Sequence, residues 1–143
     1  MNAATTPPSS PAPAVLRPGE LKSYDRGGGA STVPLVTAGI GARAFINGIT
    51  EFGPGAKIAF HSHNCEESVV LLEGDAIMDI DGLEFPLQPL DTTFIPPNVM
   101  HRFRNISDTK PMKILWTYAS PQATRTLRDS GETRPVALEH SNQ

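Results

Sequence analysis

The segment "HSHNCEESVVLLEG", His61 to Gly74, opens an apolar run with two imidazoles and sets a carboxylate just before its hydrophobic residues. Such groups are costly to bury unless something holds them. His61 and His63 are two apart, so in an extended strand both side chains face the same way. The same parity puts Glu67, Val69 and Leu71 on one face of "ESVVLLEG" and Ser68, Val70 and Leu72 on the other. A third histidine, His101, starts the alternating run "HRFRN", in which His101, Phe103 and Asn105 share a face. Three imidazoles and one carboxylate suit one divalent transition metal: Fe, Mn, Ni, Cu, Co or Zn. They suit Mg or Ca poorly, because those ions prefer oxygen donors. A cation would let buried neutral imidazoles and an ionised Glu67 satisfy one another. An H-x-H pair alone is more often surface or satisfied core, so the metal reading needs a larger pattern.

The elements that must position these groups read as strands. From Val33 onward, short runs rich in Val, Ile, Phe and Thr alternate with Gly, Pro and Asp-Gly punctuation. Their spacing of about 8–12 residues is that of an all-β sandwich or barrel. Asp81-Gly82 between two such runs predicts a tight hairpin, and "RGGGAS" predicts a turn or loop. Extended parity continues backwards from His63, placing Lys57 and Ala59 on the histidine face and Ile58 and Phe60 opposite. Both faces of the Glu67–Leu72 run are apolar, which predicts cover on each side, from the barrel interior and from a second sheet or subunit. No long window has a 3.6-residue apolar period.

The larger pattern resembles a family. Gly55, His61-x-His63, Glu67 and Gly74 stand at the spacing of the first motif of the cupin superfamily. "LDTTFIPPNVMHRFRN", Leu90 to Asn105, resembles its second motif through Pro96, His101 and Asn105, with Asp91 where an aspartate is often found. Leu90 and Asn98 stand where glycines are usual. Asn98 can still make a left-handed turn, whereas Leu90, following Pro89, predicts a turn that differs in detail. The resemblance implies an antiparallel jelly-roll barrel, a homodimer, and one metal held by His61, His63, Glu67 and His101 at the barrel mouth. Glu66 competes for the carboxylate role, but parity and the spacing to Gly74 favour Glu67. Cys65 reads as a bystander. Trp116 and Tyr118 alternate on "KILWTYA" and so share a face that could line the barrel. Arg102 and Arg104 point away from His101.

The chain of 143 residues fits one domain. The expected division is a Pro/Ala/Ser-rich flexible arm and loop over 1–30, a barrel over 31–120, and a tail over 121–143 with a short helix or packing strand. A net charge of −3 without clustered basic residues argues against nucleic acid. The first twenty residues lack the basic head and apolar stretch of a signal peptide. No run approaches the roughly 18–20 apolar residues that span a bilayer. A soluble cytoplasmic protein acting on a small molecule is expected.

Four protein ligands leave about two open positions in an octahedral sphere, the arrangement of a catalytic ion. The site's net charge near +1 would complement an anionic chelating substrate such as an enolate, hydroxy acid or diketone. Through the resemblance, the leading expectation is a dioxygenase-type oxidoreductase using Fe(II). The runner-up is Lewis-acid lyase, isomerase or decarboxylase chemistry with Tyr118 as candidate base, and a non-catalytic binding module comes third. Fold alone does not choose among them.

Overall fold

The computed structural model describes residues 11–140, and within them the chain forms twelve β-strands and no α-helix. Two six-stranded antiparallel sheets face each other. In chain order the strands are β1 (Tyr24–Gly27), β2 (Ala30–Pro34), β3 (Ile46–Phe52), β4 (His61–His63), β5 (Glu67–Glu73) and β6 (Ala76–Ile80). They continue with β7 (Leu83–Leu87), β8 (Thr92–Ile95), β9 (His101–Asn105), β10 (Met112–Tyr118), β11 (Thr124–Leu127) and β12 (Thr133–Pro135). One sheet runs β1-β2-β3-β10-β5-β8 and the other β12-β11-β4-β9-β6-β7. This is the expected jelly-roll, with sheets wider than residues 31–120. β1 lies inside the segment expected to be a flexible arm, and β11 and β12 lie inside the expected tail. The arm before Pro11 falls outside the described residues.

Period-2 alternation builds the interior. On β9 the buried row is His101, Phe103, Asn105; on β5 it is Glu67, Val69, Leu71; on β10 it is Tyr118, Trp116, Ile114, Met112. Register aligns these rows, with Tyr118 opposite Glu67, Trp116 opposite Val69 and Met112 opposite Phe52. The β5 and β10 rows begin polar and turn apolar further along, whereas the β9 row is polar at both ends. The barrel therefore has an apolar region around Phe52, Leu71, Phe103 and Met112, and an end that carries His61, His63, Glu67 and His101.

Turns fix that register. Asp81 and Gly82 both have positive φ, 50° and 77°, as a two-residue type I′ hairpin requires. The "RGGGAS" segment closes the β1–β2 hairpin. Gly74 has φ 97°, and a Cβ there would sit 2.7 Å from the Pro111 carbonyl oxygen, so only glycine fits. Leu90 has φ 79°, donates its N–H to the Leu71 carbonyl at 2.6 Å, and leaves its side chain in solvent. An exposed side chain can tolerate left-handed backbone at a modest energetic cost.

One further expectation needs correction. Lys57 to Phe60 is not a ladder strand; its sole bridge joins Lys57 to Arg104. Parity therefore breaks there: Ile58 lines the interior cavity with His61, while Lys57 and Ala59 are exposed. Of the two covers expected for β5, the inner one is present, and among the described residues no second sheet lies on the outer face, where Leu72 and, on neighbouring β8, Phe94 are exposed.

Candidate metal centre

β4 and β9 pair through His61 and His101, and β5 brings Glu67 in from the facing sheet. All four side chains are buried. The nitrogens that His61, His63 and His101 can offer lie within 4.8 Å of one another. That is near the roughly 4 Å separating opposite ligands of one ion with bonds of about 2.1 Å. Glu67 Oε1 is 2.9 Å from His101 Nε2 and 3.6 Å from His63 Nε2.

The backbone aims all three rings. His61 Nδ1 is 2.8 Å from the Ala59 carbonyl, His63 Nδ1 is 2.9 Å from that of Thr124, and His101 Nδ1 is 2.8 Å from that of Val99. A carbonyl oxygen can only accept, so each Nδ1 carries a proton and each Nε2 is left facing inward, where a neutral imidazole offers its lone pair. Outer hydrogen bonds of this kind orient metal-binding histidines. The loop before His101 is tied down by the Asn98 N–H, which donates to the His63 carbonyl at 2.7 Å. Asn98 has φ 65°, a conformation asparagine accepts readily.

The consequence is a buried cluster of lone pairs. His63 Nε2 has no hydrogen-bond partner among the described residues. Nε2 of His101 and Oε1 of Glu67 face each other as two acceptors, so a proton or a cation must lie between them. An ion would satisfy all of these atoms at once, and the donor set fits a divalent transition metal. Burial, reinforced by the Arg125 charge, holds His61 well below its ordinary range. Burial likewise lowers His63 to about 4, although Glu67 pulls the other way. Neutral imidazole is the form that binds metal.

Glu66 is exposed, as parity predicts, and Cys65 is half-buried, its thiol pushed up by burial. Tyr118 lies against the site, its ring centroid 4.4 Å from that of His63, and stacks on Trp116 at 5.0 Å. Burial, then the Glu67 charge, raises its phenol well above the ordinary range. At neutral pH it keeps its proton and can donate, which disfavours it as a base. Trp116 fits because its partner across the sheet is Gly48, where a Cβ would come within 2.8 Å of the indole and of the Val33 carbonyl oxygen. Its Nε1–H donates to Thr50 Oγ1 at 2.9 Å. Arg102 and Arg104 do face outward, both pairing with Asp79.

Three charged residues escaped sequence reasoning. Arg125 on β11 sits directly across from His63 on β4. Its Nε is 2.6 Å from Glu139 Oε2, and Arg26 reaches the same oxygen at 3.3 Å. These three, with His61 and Glu67, line a cavity of about 20 Å³, room for a single water. The only signal was alternation in "ATRTL", which places Ala123 and Arg125 on one face.

The cupin-domain family matches residues 48–118, which span β3 through β10 and hold all four candidate ligands. A polyketide synthase protein, CurC of Streptomyces cyaneus, is 32% identical over 127 residues, covering 88% of this chain and 81% of its own. The chain belongs to the cupin superfamily. Another cupin relative is the tetracenomycin polyketide synthase protein TcmJ of Streptomyces glaucescens. It is 27% identical over 112 residues, 78% of this chain and 74% of its own. In three dimensions the cupin barrel resembles the polyketide cyclase RemF of Streptomyces resistomycificus, with a TM-score of 0.71 at 19% identity, covering 87% and 86% of the two chains. No helix among the described residues is long and apolar enough to cross a membrane.

Proposed function

We propose that this cupin is a metal-dependent enzyme acting on a small enolisable, oxygen-rich molecule of polyketide type. Its reaction would be cyclisation with loss of water: a carbon–carbon bond forms between an enol carbon and a ketone carbon, and the ketone oxygen leaves as water. The ligands are His61, His63, Glu67 and His101. The observation that carries the reading is the buried, unpartnered Nε2 of His63 within three backbone-aimed imidazoles beside a carboxylate. The names of the relatives CurC and TcmJ support a substrate of polyketide type.

When bound, the ion would polarise a carbonyl oxygen and favour its enol form. The chain's own residues supply the rest. The stacked Trp116–Tyr118 pair fixes the Tyr118 ring beside His63. The Tyr118 hydroxyl, protonated at neutral pH, donates to a substrate oxygen. Ile58, Phe103 and Ile114 give the cavity apolar walls.

The purified protein should contain about one equivalent of a transition metal by elemental analysis, and His63→Ala and His101→Ala should lose it while remaining folded by circular dichroism. Metal retained at parental levels in both variants would refute the ligand set. The metal-loaded protein is then incubated with a linear β-polyketone, with products followed by mass spectrometry and oxygen by electrode. Loss of 18 mass units without oxygen uptake is expected. Stoichiometric oxygen uptake would instead select the dioxygenase reading, and tight binding with no turnover the binding module.

A further inference from the structure

The buried Arg125 plays no part in holding a metal, and a buried guanidinium is costly unless paired. Its pairing is incomplete. Glu139 Oε2 lies 2.6 Å from Arg125 Nε, yet that N–H points off the oxygen and makes no aligned hydrogen bond. Arg26 shares the same carboxylate at 3.3 Å, and its Nη1 adds a long contact of 3.4 Å to Thr32. Two guanidinium groups thus converge on one carboxylate oxygen, with Glu67 the next anion across the small cavity.

The position of this cluster matters as much as its charge. Arg26, Arg125, Glu139 and Ile58 line the small inner cavity with His61 and Glu67. The same four residues also line an outer cleft of about 560 Å³. They form the partition between solvent and the metal centre. Glu139 is carried on a short 3-10 turn, Val136–His140, anchored through buried Val136, whose N–H donates to the Ala123 carbonyl at 2.9 Å. An inner cavity sized for one water cannot admit a substrate while that carboxylate stays in place.

We propose that Arg125 and Arg26 form a carboxylate-binding subsite at the entrance to the metal cavity, occupied in the free protein by the chain's own Glu139. A small organic carboxylate displaces Glu139, takes up the fork of Arg125, and opens the way between cleft and cavity. Guanidinium recognises planar carboxylates through paired, charge-assisted hydrogen bonds. β11 sets Arg125 beside His63, so a molecule held there by one end presents its other end to the histidines. The subsite thus narrows the substrate class of the proposed function to acids, and its purpose rests on that reading, but binding at the arginines does not require the metal.

The test is therefore made on chelator-treated, metal-free protein, with benzoate as probe and benzamide as its neutral counterpart, by titration calorimetry. Glu139→Gln removes the resident anion while keeping its shape, and should tighten benzoate binding at least tenfold with no change for benzamide. Arg125→Met in the Glu139→Gln background should abolish the gain, and Arg26→Gln in that background, which spares β11, should weaken it several-fold. Equal benzoate affinity in parent and Glu139→Gln would overturn the proposal, as would equal tightening for benzamide. A metal centre refuted by elemental analysis would leave these binding outcomes untouched, so the two readings fail separately.

Discussion

Leu90 shows how little a single residue needs to satisfy when its side chain is free. It holds a φ of 79° at a position where glycine is usual, and it is 76% exposed. Left-handed backbone costs a non-glycine residue roughly 1–2 kcal/mol, partly offset by the greater unfolded-state entropy of glycine. Leu90→Gly should therefore stabilise the protein by about 0.5–1 kcal/mol in urea unfolding. An unchanged or lower midpoint would show that the turn is relaxed. At the histidines, burial acts on protonation. His63 is lowered from its ordinary value to about 4, so as pH falls the unfolded chain takes up this proton first. Stability of the metal-free protein should be full above pH 6.5 and decline between pH 6.5 and 4, by on the order of 3 kcal/mol from His63 alone. Unfolding curves that coincide across that window would contradict it. The histidines were legible because strand parity and spacing are local properties. Arg125, Arg26 and Glu139 were not, because their convergence depends on register between strands far apart in sequence.

Among the elements, β9 carries the clearest division of labour. His101 at one end serves the site, and Asn105 at the other serves the fold. Asn105 Nδ2 donates to the carbonyls of Gly53 at 3.0 Å and Lys110 at 2.8 Å, with a longer contact to Phe52, while its Oδ1 accepts from the Ser107 N–H. One side chain thus staples β3, β9 and the loop to β10. Asn105→Ala strips these bonds and leaves buried carbonyls unpaired, for an expected loss of about 2–4 kcal/mol. Denaturation that shows less than 1 kcal/mol would mean water replaces the amide. Strands with tight turns were readable, since Asp81-Gly82 dictates both the turn type and the Ile80–Leu83 pairing. The Lys57–Phe60 stretch was not, because alternation implies a face only where a neighbouring strand holds the backbone extended. β11 and β12 lie where the sequence left a short helix or a packing strand open, because their polar residues pair through backbone and through Thr126–Thr133 contact rather than through apolar burial.

At the scale of the whole molecule, the unfinished surface is the outer face of β5 and β8. Leu72 and Phe94 are exposed there, Phe94 by 63%, and Val70 is half-buried. The alternation predicted cover on both sides; the inner face has it, and among the described residues the outer face stays open. We propose that a second copy covers it, making the cupin a homodimer. Light scattering at tens of micromolar should then give twice the 15.3 kDa chain mass, and Phe94→Glu should give one chain mass with the strands intact. A monomeric parent protein would exclude this arrangement.

Two of the three imidazoles are oriented by carbonyls two positions upstream, but His63 relies on Thr124, 61 residues later. At a translation rate of about 5–20 residues per second, that oxygen is made roughly 3–12 s after the ring it steers. A chain still on the ribosome lacks the oxygen that orients His63, so the three-histidine cluster reaches its final geometry only after β11 has been made.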